Sequence, residues 1–241
     1  MVYFQLTTGR IITVYIAQGV ILVVFLYLAL RILLRDRKRL NVIFAGLYIS
    51  PAIGVLINFF YAPLTDESIV LILNFVTNFG IFYSPIFIVV FDLMLLKSEK
   101  VISTGKQLII LILYGIALFS MLFFLFIPGF GVTIGPATSW SPVWSLPFFL
   151  YVTLVETIGA VIPSLYFSLQ IYKKFEDEML KKKWKSFIYG IIALLTFMYG
   201  IFVSNLLGHP TFRLIIGVVG LILAIVGGFL MYFGVGKQIE S

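Results

Sequence analysis

The chain has no cysteine and one histidine in 241 residues. That excludes disulfides, thiol chemistry and thiolate metal sites. Neither a multi-histidine metal centre nor a bis-histidine haem site can be built from this chain alone. No cofactor and no metal site are expected. Charge is also scarce. Charged residues make up 11% of the chain and apolar residues 61%, whereas a soluble domain carries about 25% charged residues. The mean hydropathy is +1.13. No Lys interrupts the apolar runs, so a retinal Schiff base has no attachment point. G-x-S-x-G, H-E-x-x-H, a P-loop and a phosphate-cradling Gly-rich loop are all missing, as are the aspartate-rich pairs of an intramembrane prenyl transferase. An enzyme is not expected.

What the chain does have is apolar length. Seven runs, about 11–34, 41–61, 69–96, 108–127, 146–172, 187–207 and 214–235, predict a single all-α domain: an integral membrane bundle of seven transmembrane helices embedded in a lipid bilayer. The first run lacks a short apolar core followed by a small-residue cleavage site, so it reads as a retained span. The net charge of +7 could suggest nucleic acid, but the cations sit beside the spans. If the seven runs alternate in direction, fifteen of the 17 Lys and Arg fall on one side, and only Arg10 and Arg213 on the other. By the positive-inside rule the N-terminus is outside and the C-terminus cytoplasmic. A multi-pass plasma-membrane protein that binds no nucleic acid is expected.

The run 146–172 is the most informative. Its 27 residues reach about 40 Å at ~1.5 Å each, against about 30 Å of hydrocarbon. Glu156 lies near its middle, where an ionised, unpaired carboxylate costs roughly 2.5–3.5 kcal/mol. On a helical wheel Thr153, Thr157, Ala160 and Ser164 form a polar stripe with Glu156 at its edge. Leu154, Ile158, Val161, Ile162, Leu165 and Leu169 take the opposite side. Glu156 is thus expected to look into the bundle as a ligand contact, a proton carrier or an ion-pair partner. The plainer alternative is a neutral carboxyl bonded to a neighbouring helix.

A second polar stripe, Asn74, Asn78, Ile81, Pro85 and Asp92, lies on one face of the third span. Asn58, Asn74, Asn78 and Asn205 all fall in the outer halves of their spans. With Glu156 they are the candidate ligand-binding residues, lining a pocket open to the outside; taken singly, each is ordinary interhelical glue. Asp92, near the cytoplasmic end, is expected either to pair at the interface with Lys97 or Arg31 or to act as a cytoplasmic switch. Pro51, Pro85 and Pro163 each free a carbonyl and bend a span. Gly220, Ala224 and Gly228 make a small-residue seam. Trp140 and Trp144, in the loop 128–145, suit a membrane interface. His209 reads as a surface histidine. INFFYAP (57–63) and SNLLGHP (204–210) share an Asn-x4-Pro pattern, and a parallel repeat of spans 1–3 and 5–7 around span 4 would explain it.

Two stretches carry a resemblance. SPIFIVVFDLMLL (84–96) looks like the proline, hydrophobic run and phenylalanine of the seven-transmembrane sensor region of prokaryotic histidine kinases. KKKWKSFIYGIIALLTFMYGIFVSNLL (181–207) is similar to that region's basic turn, Gly-containing span and outer Asn. Pro85, Phe91 and Asn205 are the matching pattern positions. The resemblance implies a sensor for a small or lipid-like ligand. The sequence carries no dimerisation helix or kinase, so the resemblance implies a stand-alone sensor module, or a fragment, that signals to a separate cytoplasmic partner through the segment 173–186. The alternatives are a small-solute or proton-coupled transporter with Glu156 as coupling site, and a non-catalytic subunit of a membrane complex. The oligomeric state is left open.

Overall fold

The computed structural model describes residues 6, 8–98 and 101–236. Lys100 and Lys237, two of the fifteen clustered cations, lie outside them. Among the described residues, seven helices are long and apolar enough to cross a membrane: α1 (Thr8–Arg35), α2 (Arg39–Tyr61), α3 (Glu67–Lys97), α4 (Thr104–Phe124), α5 (Leu146–Lys174), α6 (Glu178–Leu207) and α7 (Pro210–Val235). Consecutive helices run antiparallel, joined by short links except for the loop 125–145. One end of the bundle therefore gathers the cations, and is called here the basic face; the other is the sparse face.

The starts of four helices follow from local chemistry. Side chains of Asp66, Ser103, Ser145 and Asp177 accept from the backbone N–H three residues on, which satisfies a donor the helix itself leaves open. The Asp177 cap explains why α6 begins at Glu178 and not near 187. Its first turns are charged outside but carry Trp184 inward, where the indole N–H donates to Ser168 O at 2.8 Å.

The helices touch where side chains are smallest. A Cβ on Gly190 would lie 2.6 Å from Gly227 O and 2.5 Å from Met231 Cγ, so α6 and α7 meet nearly backbone to backbone. Gly54 and Gly80 do the same for α2 and α3. The expected seam on α7 is used: Gly220 faces Phe197, Ala224 is buried, and Gly228 packs on α1.

Prolines accompany the bends, and at Pro51 a neighbouring helix takes up the carbonyl that the ring releases. Pro51 has no N–H to give Leu47 O, its i−4 carbonyl. The Ser84 hydroxyl donates to that oxygen at 2.7 Å. Helix α3 breaks its regular turn just before Pro85. There Tyr114 donates to Phe82 O (3.0 Å) and Ser50 to Gly80 O (2.6 Å). In α5 the turn before Pro163 widens to a π-turn over Thr157–Val161, with Ile162 N–H reaching Thr157 O.

The loop 125–145 folds back over the sparse face. A short antiparallel hairpin pairs β1 (Val132–Thr133) with β2 (Val143–Trp144). Its tryptophans turn inward and are not interfacial: Trp140 and Trp144 are buried, and Trp144 packs against Phe82, Phe148 and Phe202 at 5.0–5.9 Å between ring centres. At the basic end a second aromatic cluster closes the core. Phe44 stacks on Phe91 at 4.9 Å, and Phe187 lies against both.

Candidate functional site

All four candidate asparagines converge. Asn58 from α2, Asn74 and Asn78 from α3 and Asn205 from α6 line one cavity of about 170 Å³ at the sparse face, with Ser141 and Pro142 of the folded-back loop at its edge. The Asn74 amide donates to the Tyr61 hydroxyl (2.8 Å), Asn78 to Asn74 Oδ1 (3.1 Å) and Asn58 to Gln18 Oε1 (2.6 Å). The Thr77 hydroxyl is buried with no hydrogen-bond partner among the described residues. The i, i+4 spacing of Asn74 and Asn78 stacks their amides on one face of α3, and the close Gly54–Gly80 crossing brings that face against α2.

Below this vestibule the polarity ends. A smaller cavity of about 90 Å³ follows, lined mainly by aliphatic and aromatic side chains such as Ile21, Phe25, Val55 and Met198. Beneath it the Phe44–Phe91–Phe187 cluster fills the bundle.

Glu156 is not part of it. Helix α5 contributes no residue to the vestibule. Glu156 is fully buried, at the centre of an inward stripe formed by Val152, Glu156, Ala160, Ser164 and Ser168. The expected stripe placed it at the edge and placed Val161 outside. The π-turn adds a residue to one turn, shifts the wheel and turns Val161 inward. The carboxyl is bordered by the phenols of Tyr114 and Tyr199. Tyr114 spends its proton on Phe82 O (3.0 Å), and Tyr199 shares a 2.6 Å hydrogen bond with Thr157. Neither carboxyl oxygen has a partner of its own among the described residues.

Asp92 is also fully buried and not interfacial. The Ser168 hydroxyl donates to its Oδ2, and the same residue's carbonyl accepts from Trp184. Asp92, Ser168 and Trp184 thus tie α3, α5 and α6 together near the basic face.

The expectation from sequence missed the two arginines. Arg10 and Arg213 both line the vestibule. A signal for them was present: they are the only cations on their side. Their rarity served to set the topology, and the residues themselves went unused.

No family model and no curated protein matches this chain. Of the pattern positions of the sensor-region resemblance, Pro85 sits at the α3 bend, Phe91 in the aromatic cluster and Asn205 in the vestibule.

Proposed function

We propose that the chain is a seven-helix membrane receptor, with the N-terminus outside and the C-terminus in the cytoplasm, that binds a small ligand in the sparse-face vestibule and signals to a cytoplasmic partner. The observation that carries the reading is the convergence of four helix-borne asparagines on one cavity, adjoined toward the basic face by a mainly apolar one. A carrier needs a path onward; a receptor needs only a site and a movable element. Helix α3 supplies the second. It holds Asn74 and Asn78 above its bend at Pro85 and Asp92 below it. A ligand that favours one bend angle biases the lower half, and the Asp92–Ser168–Trp184 tie passes that bias to the basic start of α6. The ligand must bind the two arrangements unequally for this to work.

Orientation and transport both test the reading. The chain has no native cysteine, so single cysteines report sidedness cleanly. In intact cells, Ala137→Cys should react with a membrane-impermeant maleimide, and Val101→Cys only after permeabilisation. The opposite pattern would place the vestibule in the cytoplasm and end the proposal. So would proteoliposomes that move inorganic phosphate or malonate down a gradient at turnover rates.

A further inference from the structure

We propose that the vestibule selects an anion: a compact carboxylate or phosphate group held between Arg10 and Arg213. The inference rests on the reading of the vestibule as the ligand site and names what that site takes.

Both arginines stand where general rules disfavour them. Each occupies the first turn of its helix, α1 and α7, and the positive end of a helix dipole repels a cation. Both also lie at the end of the bundle opposite the other described cations. Two disfavoured placements, on the first and last of the seven helices, meet in one cavity. Among the described residues no Asp or Glu lines that cavity, and the Arg10 charge acts on Arg213.

The arginines are aimed as well as gathered. Arg10 donates to Ser139 O at 3.2 Å, and Arg213 donates to Pro142 O. One loop therefore orients both forks. Arg213 Nε is buried and has no hydrogen-bond partner among the described residues. A guanidinium is a planar array of donors that matches the paired oxygens of a carboxylate or phosphate. The neutral lining completes such a site: amides of Asn58, Asn74, Asn78 and Asn205 can turn a donor or an acceptor toward the rest of the molecule. A cavity of about 150 Å³ admits a benzene-sized guest, so about 170 Å³ suits a phosphate or a short dicarboxylate. The same chemistry is offered by a free metabolite and by a lipid phosphate.

Thermal unfolding of the purified full chain in neutral detergent, followed by tryptophan fluorescence, tests this. The probes are inorganic phosphate, malonate, its neutral isostere malonamide, and dihexanoyl phosphatidic acid, each against chloride at equal ionic strength. Phosphate or malonate should raise the midpoint more than chloride, and their apparent affinity should fall at least tenfold in Arg10→Gln and Arg213→Gln. Arg213→Lys should retain part of it. Phosphatidic acid acting at concentrations where phosphate does not would assign the lipid source; the reverse would assign the soluble one. Should Arg213→Gln fail to fold, phenylglyoxal labelling of Arg213 in the unmodified chain, slowed by phosphate, reads the same contact. Anions no better than chloride, or equally effective without Arg213, overturn the inference. Malonamide binding that survives Arg213→Gln and is lost in Asn78→Leu overturns it while leaving the receptor reading intact. Failure of every probe overturns both.

Discussion

Removing the Ser84 hydroxyl should cost more than an ordinary membrane hydrogen bond, and Pro51 is the reason. Interhelical hydrogen bonds in membrane bundles average about 0.6 kcal/mol, with a maximum near 1.7. Ser84 Oγ donates to Leu47 O at 2.7 Å, and that carbonyl has lost its helical donor because residue 51 is proline. Leu47 is buried, so Ser84→Ala strands a buried acceptor, for which about 1–3 kcal/mol is typical. The upper part of the membrane range, about 1.5 kcal/mol, is expected; at roughly 2–4 °C per kcal/mol for a chain of this size the midpoint falls by about 3–6 °C. The decisive measurement is a double-mutant cycle. In Pro51→Ala the new backbone N–H can reach Leu47 O, so adding Ser84→Ala should cost about 0.5 kcal/mol or less. Tyr114→Phe, which strands Phe82 O on the α4 side of α3, should cost the same in both backgrounds. SDS titration in mixed micelles, followed by tryptophan fluorescence, gives the free energies. An equal cost for Ser84→Ala with Pro51 and with Ala at position 51 would refute the reasoning.

The α6–α7 crossing gives a sharper steric test. Gly190→Ala brings a methyl to 2.6 Å from Gly227 O and should destabilise by about 1–3 kcal/mol in the same titration, whereas Gly19→Ala, whose nearest neighbour would be Phe59 Cζ at 3.7 Å, should be neutral or stabilising. Glu156 sits among groups that a neutral side chain can satisfy, so Glu156→Gln should change stability by less than about 1 kcal/mol, while Glu156→Lys, a buried unpaired charge, should cost about 2.5–3.5 kcal/mol or more. Because Glu156 lines no part of the vestibule, Glu156→Gln should also leave phosphate affinity unchanged within twofold; a larger loss would couple the buried acid to the site.

The seven helices were legible in the residues because hydropathy is a one-dimensional quantity: a run long enough to cross hydrocarbon reads the same whatever it packs against. The small-residue seam on α7 was legible too, as was the grouping of the asparagines, since depth within a span follows from position in the run. Which side of α5 faced inward was not fully legible. A wheel assumes an unbroken 3.6-residue period, and the π-turn that answers Pro163 shifts it, moving Glu156 from the edge of the stripe to its centre. The fate of the tryptophans was hidden for a related reason: a loop carries no period, and only the fold-back of 125–145 brings Trp144 onto Phe82 and Phe202.

Composition and the order of apolar runs by themselves determined a multi-pass helical protein with its cations gathered at one end. Only the tertiary structure decided that α5 stands apart from the vestibule, that the buried acid and the asparagines occupy separate environments, and that the two stray arginines share one cavity. Burial and period are local properties that each helix carries alone. Which side chains meet depends on where seven helices cross, and here that is set by glycine contacts and proline bends between residues far apart in the chain.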